Sequence, residues 1–219
     1  MTRHIERQID QLKQRVLIIG TLVEEAISKA ITALINRDVP LAQRVIESDA
    51  EIDRMEVEVE EECLKILALY QPVAADLRYV VAALKMNNDL ERMGDLAKNI
   101  AKRVGQLAQG DQADLPPQIR PMAIKTQEMV KQCLEAVINA DPALARYVRE
   151  QDDIVDNARQ EIRDQVLEGI KANPENTDNL LRINAVSKHF ERLADMATNV
   201  AEDVIYMVEG DIVRHRAND

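Results

Sequence analysis

Residues 90–104 read LERMGDLAKNIAKRV and residues 190–204 read FERLADMATNVAEDV, and the two align without a gap one hundred residues apart. Glu91/Glu191, Arg92/Arg192, Asp95/Asp195, Ala97/Ala197, Asn99/Asn199, Ala101/Ala201 and Val104/Val204 are identical. Leu90/Phe190, Met93/Leu193 and Ile100/Val200 are conservative pairs. The apolar members recur every three or four residues, which is the period of one buried helix face. A spacing this long exceeds any solenoid unit and suits two similar domains that arose by duplication.

The rest of the chain repeats on the same plan. Leu12, Val16, Ile19, Val23, Ile27, Ile31 and Ile35 mark an amphipathic first helix over about residues 5–36. Asp38, just ahead of Pro40, stops it and starts a second helix that runs to Tyr70, since an Asp side chain accepts the free N–H groups of a helix start and Pro needs no donor there. Gln71-Pro72 ends that helix, and a third covers residues 74–107. In the other half, a fourth helix over 119–139, a restart at Asp141-Pro142, a fifth helix to about Lys171 and a sixth over 179–209 follow the same order. Gly and Pro number only 6 and 7, aromatics make up 2 %, and Trp is absent, a composition of long packed helices. The expected fold is all-α: two tandem, repeat-related three-helix bundles of six long helices. Residues 1–108 form the first, the Pro-rich stretch 109–118 a linker, and residues 119–219 the second. Helices of about thirty residues are roughly 45 Å long, so each bundle should be elongated and antiparallel.

A net charge of −11 sets the average surface against the nucleic-acid backbone, so no nucleic-acid partner is expected. No apolar run reaches the roughly eighteen residues of a spanning helix, and MTRHIERQID lacks the apolar stretch of a signal peptide. A cytoplasmic location is expected. Cys63 and Cys133 sit inside helical patterns at non-equivalent places and read as buried small hydrophobes.

The repeated phrase also carries chemistry. Residues four apart on a helix project side by side, so Glu91 and Asp95 share a face, with Asn88 and Asn99 extending the stripe. Glu191, Asp195, Asn199 and Glu202 form its counterpart. The apolar residues of the phrase lie opposite, so these carboxylates should be open to solvent. Asp49 and Asp53 on the second helix, and Asp152 and Asp156 on the fifth, have the same spacing. If neighbouring helices run antiparallel, Asp49, Asp53, Glu91 and Asp95 converge as oxygen donors, as do Asp152, Asp156, Glu191 and Asp195. Converging carboxylates repel unless protonated or bridged by a cation. All-oxygen ligation suits Mg, Mn, Ca or Fe, and no Glu-x-x-His pair of a di-iron bundle is present. The same stripe is also what any solvated helix face carries. Glu56 and Glu60 accompany the first set where Arg159 and Arg163 stand in the second, which makes the first the stronger cation site. Arg92 and Arg192 are open to a salt bridge or an anion, and Asn99 and Asn199 to capping or bridging helices.

Beyond the phrase, the chain resembles the PhoU family of phosphate-uptake regulators over nearly its whole length. In the first half the resemblance rests on VEEAISKAITAL (23–34), DVPLAQRVIESDAEID (38–53), QPVAADLR (71–78) and LERMGDLAKNIA (90–101). In the second it rests on DPALARYVREQDDIVD (141–156), FERLADMATNVAE (190–202) and VEGDIVRHR (208–216). It implies two three-helix bundles whose Glu/Asp-x-x-x-Asp motifs, at Asp49, Asp53, Glu91, Asp95, Asp152, Asp156, Glu191 and Asp195, hold divalent or trivalent metal ions such as Fe, Mn, Mg, Zn or Ca. Glu56, Glu60, Arg92, Asn99, Arg192, Asn199 and Glu202 would be auxiliary. It further implies a non-enzymatic negative regulator, an adaptor between the phosphate ABC transporter and a membrane sensor histidine kinase, peripheral to the membrane through these partners. A homodimer is expected from the elongated helical faces. Ala194 departs from the Gly usual in the second repeat. The competing function is a metal-dependent phosphohydrolase using the same carboxylates, which requires an enclosed cleft.

Overall fold

The computed structural model describes residues 2–108 and 115–213, with side chains from His4 onward. Residues 109–114 of the expected linker, and Arg214, His215 and Arg216 of the last family phrase, lie outside the described residues. The helices are α1 (Thr2–Asn36), α2 (Val39–Tyr70), α3 (Ala74–Leu107), α4 (Ile119–Asn139), α5 (Pro142–Glu150), α6 (Asp152–Ala172) and α7 (Thr177–Glu209), with a single 3-10 turn at Pro174–Asn176. No strand occurs among the described residues. The all-α, duplicated architecture is the one the periodicity predicts.

The restarts follow the expected chemistry. Asp38 accepts the Leu41 N–H at 2.9 Å, and Asp141 accepts those of Ala143 and Leu144 at 2.9 and 3.0 Å, each with Pro in the first turn. Gln71 closes α2 in the left-handed region (φ 47°) ahead of Pro72. The expected fifth helix differs in being pinched at Gln151 into α5 and α6. There the ladder tightens to three-residue bonds, Gln151 N–H to Val148 O and Ile154 N–H to Gln151 O, both 3.1 Å, while the backbone stays in the right-handed helical region. Lys125 on α4 holds the Gln151 side chain at 2.8 Å. No Gly or Pro marks this place, so the pattern of residues gave no warning of it.

Within the first half, α1, α2 and α3 pack on one another; in the second, α7 packs on α4, α5 and α6. The halves also share a wall: α3 packs along α7 and α1 against α4, so the buried side chains form one continuous core. Gly20 lets α1 approach α4, since a Cβ there would lie 2.9 Å from Leu134. Along α3 and α7, Lys85 Nζ reaches Asp203 Oδ1 at 3.0 Å, and Arg182 Nη1 reaches the Gln106 carbonyl at 3.3 Å. Both contacts belong to the same antiparallel register. Asp203 is buried, and the ammonium of Lys85 also stands 5.4 Å from the Tyr206 ring centroid. Cys63 and Cys133 are buried free thiols; burial pushes Cys63 up to about 12 and Cys133 further, so neither is reactive.

The Gly94/Ala194 difference has a packing reason. A Cβ on Gly94 would meet Ile52 Cδ1 at 3.0 Å and Cγ2 at 3.2 Å. In the second repeat the place of Ile52 is taken by the smaller Val155, and Ala194 is fully buried. Gly with Ile and Ala with Val are thus matched in volume. Alanine gains about 1 kcal/mol over glycine in a helix, and overpacking a core costs about 1–3 kcal/mol. Gly94→Ala should therefore destabilise the wild-type chain but stabilise an Ile52→Val chain. Urea unfolding of the double-mutant cycle should show a coupling of about 1–2 kcal/mol; a coupling near zero contradicts the volume exchange.

Candidate functional site

The first carboxylate set lies along the α2/α3 contact. Asp49 is buried, 5 % exposed, while Asp53 and Asp95 face solvent and Glu91 is half-buried. The expected solvent access of Glu91 and Asp95 is therefore full at Asp95 and partial at Glu91, while Asp49 joins them from the buried side of α2. It is held there by a residue the sequence reading passed over, Lys98, whose ammonium donates to Asp49 Oδ2 and reaches Asp95 Oδ1 at 3.5 Å. Lys98 stands one turn beyond Asp95, and that spacing was the available signal. The bond to Asp49 raises the Lys98 pKa. Partial loss of hydration and then Asp95, Asp53, Glu56 and Asp49 raise Glu91; Asp53 is raised by the same loss and by Asp49. Glu56 is raised by burial, then by Glu60 and Asp53. These mutual effects place the set, with Glu56, in one electrostatic neighbourhood.

The second set lies along α6/α7. Asp152 is half-buried and its pKa is pushed up to about 6, by burial first and then by Asp156, Asp195 and Asp153. Asp195 is raised by lost hydration and by Asp156 and Glu191, with Arg192 pulling it back. Arg159 Nε sits 3.6 Å from Glu191 Oε2, so the arginine that sequence comparison set against this site does supply a cation to it. Thr198 takes the place of Lys98. Its hydroxyl is close enough to favour the charged form of Asp152 slightly, yet Thr198 Oγ1 and Asp152 Oδ1 are both buried without completing a hydrogen bond. Among the auxiliary residues, Glu202 pairs with Arg149 at 3.3 Å, Glu60, Arg92 and Arg192 are exposed, and Asn99 and Asn199 are half-buried.

The donor chemistry of both sets fits a hard cation: oxygen ligands only, mutual repulsion, and a buried Asp152 oxygen with no partner. The side chains as they stand are not a finished coordination shell, because among the described residues no three His, Cys, Asp or Glu groups are placed to hold an ion. In the first set Lys98 supplies positive charge between Asp49 and Asp95 where an ion would. A cavity of about 560 Å³ opens elsewhere, between α1, α3, α4 and α7, with Val16, Leu134, Val137 and Met207 among its walls, and none of the eight carboxylates lines it. That cavity and the eight carboxylates are thus separate.

A family model described as the PhoU domain matches this chain twice, over residues 16–104 and 119–204. The chain belongs to the PhoU family. It is 39 % identical over 210 residues to the phosphate-specific transport system accessory protein PhoU homolog of Aquifex aeolicus, covering 96 % of this chain and 95 % of that protein. Its fold is similar to the crystal structure of PhoU from Pseudomonas aeruginosa, with a TM-score of 0.91, 35 % identity, and 94 % of this chain and 99 % of that one covered. The phosphate transport system regulatory protein PhoU from Streptococcus pneumoniae matches with a TM-score of 0.88 and 30 % identity over 95 % and 99 % of the two chains. As in sequence, no described helix is long and apolar enough to cross a membrane.

Asp152 gives the second set a pH signature. Its native pKa lies above the unfolded value, so the native state holds the proton more tightly, and this contribution to stability is present below about pH 4 and lost as pH rises through about 6. With chelator present, Asp152→Asn should be more stable than wild type above pH 6, by on the order of 1 kcal/mol after solvent screening, and the difference should shrink towards pH 4. Urea midpoints across this range test it; an Asn variant that is less stable at pH 7 contradicts the reading.

Proposed function

We propose that this protein is a non-enzymatic accessory regulator of phosphate transport: a cytoplasmic adaptor that joins the phosphate ABC transporter to a membrane sensor histidine kinase and restrains uptake and the starvation response when phosphate is plentiful. The observation that carries the reading is the family match over both halves, with relatives named for accessory and regulatory roles in phosphate transport. The exposed helical faces and the separation of the carboxylates from the 560 Å³ cavity support binding over turnover. Affinity capture of the tagged chain from cells grown at high and low phosphate should recover transporter and kinase subunits. Recovery of neither, or phosphate-ester turnover by pure protein that is lost on Glu91→Ala, overturns it. A homodimer belongs to the same proposal, and sedimentation at micromolar concentration showing monomer alone counts against it.

The two carboxylate sets are proposed to hold divalent or trivalent metal ions, Asp49, Asp53, Glu91 and Asp95 in the first and Asp152, Asp156, Glu191 and Asp195 in the second. Bound ions would neutralise these sets and tie α2 to α3 and α6 to α7. In the first, the ion would displace Lys98; in the second it would compete with Arg159 for Glu191. Manganese titration of chelator-treated protein should show binding lost in part by Asp49→Ala with Glu91→Ala, and in part by Asp152→Ala with Glu191→Ala. Lys98→Ala should tighten binding at the first set about tenfold by removing the competing ammonium. Metal binding indifferent to all of these substitutions contradicts the assignment.

A further inference from the structure

The antiparallel contact between α3 and α7 is built from duplicated helices, yet its two ends carry opposite charge. At one end Asp203 is met by Lys85, an internal ion pair at 3.0 Å. The repeat equivalent of Asp203 is Arg103, and that of Lys85 is Ala185. In the register set by the Lys85 and Arg182 contacts, Arg103 stands opposite Ala185 and Asn99 opposite His189. Where one end of the contact has a matched pair, the other has a cation facing a methyl group.

More cations gather at that unmatched end. Arg182, His189 and Arg192 recur on α7 at intervals of seven and three residues, and therefore share the face turned to α3. Arg103 donates to the Gln106 side chain at 2.8 Å, and Arg182 to the Gln106 carbonyl and the Asn179 side chain at 3.3 and 3.0 Å, all neutral acceptors. Among the described residues none of Arg103, Arg182, Lys188 and Arg192 makes an ion pair within 4 Å, although Arg192 also acts on Asp195 from a greater distance. All four are half-buried or exposed, so solutes can reach them. His189 is half-buried in their midst with Nδ1 buried and unpartnered. Burial first, and then Arg103, Arg192 and Lys188, depress its pKa to about 4, so it is neutral at physiological pH. This concentration of positive charge occurs on a chain of net charge −11.

We propose that this stretch of the α3/α7 seam binds a phosphate-group oxyanion, held by Arg103 and Arg192 on either side of His189, with Lys188, Asn99 and the more distant Arg182 around it. Guanidinium forks match phosphate oxygens in pairs, and a tetrahedral phosphate group takes up contacts arriving from two helices, which a planar carboxylate does not. The oxyanion supplies at this end of the contact the counter-charge that Asp203 receives from Lys85 at the other. The site is distinct from the carboxylate sets and does not depend on metal.

The test uses the full chain in chelator at low ionic strength, where charge recognition is least screened. Two arms separate the sources of the phosphate group: inorganic phosphate followed by calorimetry, and vesicles of phosphatidylglycerol followed by co-sedimentation. Arg103→Gln and, separately, Ala185→Glu are compared with wild type; the second places a carboxylate opposite Arg103 and imitates the pair at the other end. Binding in either arm that weakens at least tenfold in both variants, with the helical circular dichroism unchanged, supports the site. In the phosphate arm, ligand should also shift the His189 ring resonances, because the anion settles beside that ring. Absence of saturable binding in both arms, or equal affinity in all three proteins, overturns it.

Discussion

Everything in this molecule hangs on α3 lying antiparallel along α7. Each of these helices is the central element of its own half, with its inward residues, such as Leu90, Met93 and Ile100 or Phe190, Leu193 and Val200, fully buried. Because the two also pack against each other, the halves share a single apolar core instead of meeting as separate bundles. Burial of this kind stabilises at about 25 cal/mol per Å² of apolar surface but does not discriminate between registers. The polar contacts at the edge of the wall do that: buried Asp203 pairs with Lys85, and a shift of one helix past the other would break that pair.

This geometry divides the duplicated phrase into two functional faces. One hundred degrees separate neighbouring residues on a helix, so Glu91 and Asp95 turn towards α2 while the following Arg92 and the half-buried Asn99 turn towards α7. The second copy does the same with Glu191 and Asp195 against α6, and Arg192 and Asn199 against α3. Acid therefore collects on the outer contacts, and basic residues collect on one end of the shared wall. A chain that is strongly acidic on average keeps a cationic patch because the two kinds of charge are sorted onto different helix faces.

Much of this was written in the sequence. The repeat, the apolar period, the Asp-Pro restarts and the Gln71-Pro72 break gave the class, the order and most boundaries of the helices, because each depends on residues close together in the chain. The grouping of Asp49 and Asp53 with Glu91 and Asp95 took one step more, the setting of two amphipathic helices side by side so that their carboxylate stripes adjoin. What was not legible depends on neighbours distant in sequence. Lys98 is an ordinary helix lysine until α2 brings Asp49 beneath it. Gly94 and Ala194 looked like a departure from a pattern until Ile52 and Val155 showed the volumes to be matched. The pinch at Gln151 carries no Gly or Pro, and its Lys125 partner comes from another helix. The inequality of the two carboxylate sets was read from Glu56, Glu60, Arg159 and Arg163, but each set in fact has its own resident cation, Lys98 in one and Arg159 in the other.

The α3/α7 wall makes the two halves one cooperative unit. Native-state hydrogen exchange across a denaturant series measures this directly, since regions that open together share one opening free energy. The buried amides of α3 and α7 should exchange only through global unfolding and converge on one free energy with those of α2 and α4. Exchange of one half at a markedly lower free energy, with the other half still protected, would contradict it.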